Sequence, residues 1–252
     1  MLIILSPAKT MNMKKTDISV PESKPKYVKE AEFLAEKMQY YSVQELEKLL
    51  KVSEKLAEEN HTRYEVFDSP HNPEKQAILA YDGSVFREIK ASSFSEDDFH
   101  YAQDRLRIVS TMYGLVRPLD MIRAYRLAYS LKLKGMEGNL YDYWLPKLTE
   151  PLIADIKKAG GILVNLASLD VLGALKMDEI RKAVRVITPE FQEYRNGKYE
   201  TIRTYAKQAR GAMTHHILLN RIEEPERLRT FEWNDFRWNK DISNEEKYIF
   251  TR

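Results

Sequence analysis

The chain opens on a wholly apolar run, "MLIIL", closed by Ser6-Pro7. A run without polar alternation has both faces in the interior, as in the middle of a parallel or mixed sheet. "QAILAYDG" (76–83) and "GILVNLAS" (161–168) have the same form, apolar and ending on small or polar residues. Both read as buried strands. "AVRVITPEF" (183–191) and "YETIRTY" (199–205) flank Asn196-Gly197, a dipeptide of tight hairpin turns. "RTFEWNDFRW" and "EKYIFTR" read as a last strand pair.

Helical spacing appears between these runs, marked by capping residues. Ser42-Val-Gln-Glu45 is a capping box opening "VQELEKLLK", and Ser53 is placed to cap "EKLAEENHTRYEVF". Ser95-Glu-Asp-Asp98 resembles a second box. Phe99, Ala102, Leu106 and Val109 continue it as an apolar stripe, bounded by Gly114 and Pro118. Ala206, Ala209, Met213 and Ile217 share one side of a further half-buried helix. "KKTDISVPESKPKY" (14–27) is the one flexible-looking surface stretch. With no internal repeat, the economical architecture is a single mixed α/β domain over residues 1–252, a central mixed sheet with flanking helices.

Composition narrows the chemistry. The 252 residues are 43% apolar and 31% charged, a globular balance, with a formal net charge of +2. There is no cysteine, which excludes disulfides, thiolate nucleophiles and Cys-ligated zinc or iron–sulfur sites. That composition, with neither a leader-like opening nor an apolar run of spanning length, points to a cytoplasmic protein without a membrane partner. Charge is unevenly distributed. From Arg105 to Lys134 seven cations face only Asp120, and from Arg195 to Arg221 six face only Glu200. Two basic segments on a nearly neutral chain suggest a localised anionic ligand, or else two solvated faces.

Ligands of α/β proteins gather at the carboxyl ends of strands. Lys9, Thr10, Asn165 and Ser168 stand at such ends and form the candidate catalytic set; Ser6 and Asp82 are beside them. A lysine there serves as an electrophile or, with a depressed pKa, as a base or nucleophile. The Gly-rich spacing of a Walker loop and the G-x-S-x-G elbow are both missing. The five histidines make no H-E-x-x-H spacing, so no metal or cofactor is expected. Glu96, Asp97 and Asp98 need no ligand, since acids cap helix N-termini favourably. In "YGLVRPLDMIRAYRL" (113–127), Arg117, Arg123 and Arg126 stand among tyrosines. Lys207 and Arg210 are three apart on the later helix, also near a tyrosine. Basic groups mixed with aromatics suit phosphate and base contacts.

"LIILSPAKTM", "FSEDDFHYAQDRLRIVSTMYGLVRPLDMIRAYRL", "NLAS" and "YAKQARGAM", in this order and at these separations, resemble the YaaA family, also called UPF0246 or DUF328. The resemblance runs from Met1 to the C-terminus. It implies a bacterial cytosolic peroxide-stress protein that limits unincorporated iron. It also implies a mixed α/β fold with a basic cleft, DNA as partner and a helix-hairpin-helix-like element at about 42–67. Leu49 to Ala57 follow the hairpin spacing, with Lys51 and Ser53 where both glycines usually stand, and Lys55 beyond. Glycine lets backbone amides approach phosphate closely; here Lys51, Ser53 and Lys55 would substitute. "AYRLAYS" and "LDVLGAL" depart from the usual "PYRLEMG" and "xEYFK", leaving Asp170 near the position of the usual glutamate.

Two functions remain open at this level. One is a DNA-binding stress protein gripping phosphates through Lys51, Ser53, Lys55, Arg117, Arg123, Arg126, Lys207 and Arg210. The other is an enzyme acting on a phosphorylated or nucleotide-like small anion at the Lys9 site. Direct iron sequestration conflicts with the missing cysteines and the histidine spacing.

Overall fold

The N-terminal run is an interior strand of the main sheet, with parallel neighbours on both sides. In the computed structural model, which describes every residue except Asp17 and Ser19, β1 (Leu2–Leu5) leads through a long connection to α1 (Val28–Gln39), α2 (Val43–Leu50) and α3 (Glu54–Glu65). Next come β2 (Glu74–Gln76), α4 (Ala77–Ala80), α5 (Ser84–Ile89), α6 (Glu96–Arg105), β3 (Leu106–Ser110), β4 (Gly114–Val116) and β5 (Met121–Arg123). The second half holds α7 (Leu140–Lys158), β6 (Ile162–Asn165), α8 (Leu169–Leu172), α9 (Met177–Ala183) and the hairpin β7 (Arg185–Arg195)–β8 (Lys198–Glu200). It ends with α10 (Arg203–Leu219), β9 (Arg237–Trp238) and β10 (Lys247–Thr251).

The main sheet has the order β4-β3-β1-β6-β7-β10-β9, with β8 paired to β7. From β3 to β10 every neighbouring pair is parallel, and the flanking β4 and β9 are antiparallel. Ile3 pairs with Leu106 on one side and Val164 on the other. Leu2 to Leu5 are fully buried, which is why β1 carries no polar position. β2 and β5 form a separate antiparallel pair. The result is one mixed α/β domain.

Both capping boxes form: Ser42 with Glu45 opens α2, and Ser95 with Asp98 opens α6. α10 lies against α5 through Gly211, where a Cβ would come within 2.8 Å of Glu88 Cβ. The Asn196-Gly197 turn joins β7 to β8.

Four expectations are corrected. The stretch 76–83 is not a strand: pairing ends at Gln76, and Ala77–Ala80 coil into a helical turn of good helix formers. The stripe from Phe99 to Val109 is not one helix. α6 stops at Arg105 and the chain enters β3 directly, because Leu106 to Ser110 are buried beside β1. The segment 199–205 is strand only to Glu200, and helix begins at Arg203. Within 14–27, Asp17 and Ser19 lie outside the described residues, but much of the rest is pinned. Ser23 bridges to Asp120, Lys75 Nζ donates to the Asn12 and Lys14 carbonyls, and Gln76 Nε2 donates to that of Val20.

Candidate functional site

The carboxyl ends of β3, β1 and β6 open together onto a cavity of about 380 Å3, within the ~300–1,000 Å3 span of small-molecule sites. Ser6 to Lys9 enter from β1, Thr111 from β3 and Ser168 from β6. The β1 and β6 loops are tied by serines: Ser168 N–H donates to Ser6 Oγ at 2.8 Å, and the two hydroxyls lie 2.9 Å apart.

The opposite wall is the irregular stretch Tyr125–Ser130 after β5. Buried phenols hold it. Tyr64 Oη donates to the Arg126 carbonyl (2.8 Å) and accepts from the Arg126 N–H (3.1 Å). Tyr125 Oη bonds Tyr81 Oη and Ser110 Oγ, each at 2.8 Å. Burial pushes the phenols of Tyr64, Tyr81 and Tyr125 up, so they stay neutral and serve as fixed struts rather than bases. Tyr129 stacks on Tyr141 at 5.1 Å, and Tyr141 Oη donates to the Asp170 carbonyl. Tyr129, Tyr141 and Asp170 all line the cavity.

Two lining residues carry uncompensated hydroxyls. Thr111 Oγ1 and Tyr129 Oη are sealed from solvent and, among the described residues, make no well-directed hydrogen bond, although Thr111 Oγ1 lies within reach of the Tyr125 phenol. Burial drives the Tyr129 phenol well above its ordinary value, so it too is a neutral donor. Leaving such a group unpaired costs about 1–3 kcal/mol.

A second hollow of about 280 Å3 shares Lys9, Arg126, Leu127, Ala128 and Ser130 with the first and adds Leu49, Leu50 and Lys51. The turn between α2 and α3 therefore borders it. Lys51 adopts φ 52°, a left-handed conformation that favours glycine. Ser53 begins α3 without a side-chain capping bond, and Lys55 on the first turn is exposed. Arg126 Nη1 is 3.5 Å from the Lys9 carbonyl. Among the described residues, none of Lys9, Lys51 and Arg126 lies within ion-pair distance of a carboxylate.

The other basic residues are differently engaged. Arg117 is bound to the fully buried Asp120. Arg123 Nε lies 3.0 Å from Glu74, with its guanidinium over Phe67, beside a separate cavity that Lys24 also lines. Lys207 is exposed on α10, while burial lowers the pKa of Arg210 on the same helix, against a smaller opposing pull from Glu190. Neither lines the Lys9 hollows. Of the strand-end candidates, Lys9 and Ser168 line the cavity and Thr10 and Asn165 do not. The Thr10 carbonyl accepts from Asp82 N–H, and Asn165 Oδ1 accepts from Ala167 N–H within the turn. Sequence reasoning missed Thr111, Tyr129 and Tyr141. The signal for Thr111 was its place directly after an apolar run, hidden when that run was read as helix.

Comparison with known proteins covers the same chain. The family model described as "Peroxide stress protein YaaA" matches residues 1–242. A UPF0246 protein of Bacteroides fragilis is 50% identical over 100% of this chain and 98% of its own. One of Bacteroides thetaiotaomicron is 46% identical over 99% and 98%, and one of Clostridium beijerinckii 40% over 100% and 98%. On this whole-length agreement, the chain belongs to the peroxide stress protein YaaA family.

Proposed function

We propose that this chain serves peroxide defence in the cytoplasm by holding the phosphate backbone of DNA at the hollow framed by Lys9, Lys51 and Arg126. The observation that carries this reading is the set of three cations around one hollow that have no acidic partner among the described residues, two of them lining both cavities. Unpaired cations brought together repel one another, and an anion between them removes that cost. The α2–α3 turn adds the Ser53 hydroxyl and the exposed Lys55 on the first turn of α3. Such contacts read the backbone rather than the sequence.

Limitation of free iron is an indirect consequence in this reading. Among the described residues, no group of three or more His, Asp or Glu side chains is placed to hold a metal ion. No helix of the described residues is long and apolar enough to cross a membrane.

The test is fluorescence anisotropy with a labelled duplex, comparing wild type with a Lys9→Ala/Lys51→Ala/Arg126→Ala variant of confirmed folding. The variant is expected to bind at least about tenfold more weakly at low salt. Equal affinity would remove the hollow from the interaction. The enclosed cavity favours a second reading, an enzyme acting on a phosphorylated small molecule; turnover of such a substrate, lost in the same variant, would select it.

A further inference from the structure

We propose that the 380 Å3 cavity is a nucleotide pocket, taking one nucleoside monophosphate unit with its phosphate at Lys9 and Arg126 and its base and sugar against Thr111, Tyr129 and Tyr141. The unit is either a free mononucleotide or an unpaired nucleotide of a bound strand; the second source rests on the DNA reading above, the first does not.

Four observations point to this chemistry. The cavity is polarised. Its cations, Lys9 and Arg126, also line the adjoining hollow, whereas Thr111, Tyr125 and Tyr129 are buried neutral hydroxyl groups. A phosphate alone would leave the tyrosine rings and apolar residues of that wall without a partner. The Tyr129–Tyr141 stack, with rings 17° from parallel, lines the cavity with aromatic carbon against which a planar heterocycle can pack. Pro7, Ala8, Leu127 and Val171 complete an apolar lining in which such a ring is desolvated.

The most specific observation is the unpaired pair of hydroxyls. Among the described residues Tyr129 Oη has no partner, and Thr111 Oγ1, within reach of the Tyr125 phenol, makes no well-directed bond; neither atom reaches solvent. In a well-packed interior such groups are ordinarily partnered. Here both belong to residues that line the cavity, each hydroxyl just behind its surface. A hydroxyl offers one donor and acceptor lone pairs, the functionality needed at the amide, amine and ring-nitrogen edge of a base or at a sugar hydroxyl. Ligand entry, with a small shift of the wall, supplies the missing partners. Asp170, the one acid among the described residues of the lining, is exposed and suits a ribose hydroxyl or an exocyclic amine.

This arrangement has an unusual mutational signature. Tyr129→Phe deletes a hydroxyl that no described residue of the free protein satisfies, and Thr111→Val one that makes no well-directed bond. The free variants should therefore melt no lower than wild type, while nucleotide binding falls about 3- to 10-fold. A merely structural role for either hydroxyl predicts the reverse, a lower melting temperature with unchanged binding.

The experiment has two arms on the full chain. In one, the four 5′-deoxymononucleotides and AMP are titrated calorimetrically against wild type and both variants, with inorganic phosphate as comparison. In the other, a duplex carrying a single bulged 2-aminopurine is compared with its fully paired counterpart by fluorescence and anisotropy. Saturable binding of a mononucleotide, or preference for the bulge with a change in 2-aminopurine emission, either one weakened in both variants, supports the pocket. Inorganic phosphate binding as tightly as the nucleotides overturns it. Duplex binding without any mononucleotide binding or bulge preference also overturns it and leaves the DNA reading standing. Mononucleotide binding without duplex binding keeps the pocket and ends the DNA reading.

Discussion

Arg117 sits in the most basic stretch of the chain, yet the structure makes it a strut. Asp120 is fully buried, and its carboxylate accepts from Arg117 Nη2 at 2.8 Å, Arg117 Nε at 3.1 Å, Arg117 N–H at 2.8 Å and Ser23 Oγ at 2.7 Å. Its backbone carbonyl also accepts from Ala77 N–H, so this one residue joins the 20–26 connection, β5 and α4. Arg117→Ala removes the guanidinium and leaves a buried carboxylate with two neutral donors. Losing one member of a buried pair costs about 3–5 kcal/mol. The two surviving donors and the 39% exposure of the Arg117 side chain place the expected loss at the lower end, about 3 kcal/mol. For a chain of this size that lowers the melting temperature by about 6–12 °C. Urea unfolding should show a lower midpoint at an unchanged slope, while DNA affinity at a temperature where the variant is folded stays within about twofold of wild type. A stability loss below about 1 kcal/mol, typical of an exposed ion pair, together with a large loss of DNA affinity, would refute this reasoning and make Arg117 a phosphate ligand.

Other substitutions separate structure from binding in the same way. Lys51→Gly relieves a left-handed residue and should raise stability by about 0.5–1 kcal/mol, yet weaken DNA binding through the lost charge; thermal melts and anisotropy on the one variant read both, and a lower melting temperature contradicts the backbone argument. His216 has its pKa lowered by burial, then by Arg227 and His215. The unfolded chain takes up a proton near pH ~6.5 that the folded chain refuses, so stability falls as pH drops through about 6.5 toward the depressed folded value. His216→Gln should flatten that limb, read as urea midpoints between about pH 5.5 and 7.5; parallel wild-type and variant curves would exclude His216 as its source.

Much of the framework was legible because its signals were local. β1 and β6 are continuous apolar runs, which only a strand buried on both faces tolerates, and the boxes at Ser42 and Ser95 bond their own backbones within three residues. β3 was not legible, because Leu106 and Val109 fit the helical spacing begun at Phe99. Choosing strand there depends on pairing with Ile3 and Leu5, far away in sequence. α7 was hidden by Pro146 and Pro151 inside it; Trp144, Leu148, Leu152 and Ile156 bury a face large enough to outweigh two missing amide donors.

The site divides along the same line. Lys9, Ser168 and Arg126 were visible as polar strand ends and a basic motif. Asp120 stands only three residues from Arg117, whereas the engagement of Arg123 by Glu74 was not visible, since Glu74 is 49 residues earlier and only the β2–β5 register brings them together. Thr111 and Tyr129 stand out only once their hydroxyls are seen to make no well-directed bond among the described residues, a property of packing rather than sequence. Asn165 shows the opposite: polar at a strand end, yet turned to Ala167 N–H and Thr188 Oγ1 to hold the turn.

The central claim is that Lys9, Lys51 and Arg126 jointly meet phosphate. The most direct measurement is duplex affinity across a salt series for wild type and the triple alanine variant, plotted as the logarithm of the binding constant against that of salt concentration. Each phosphate neutralised contributes a slope of about −0.9, so the variant should be shallower by about 2.7 units, while Arg123→Ala leaves the slope near wild type. Equal slopes for wild type and the triple variant would place the phosphates elsewhere on the molecule and contradict the account.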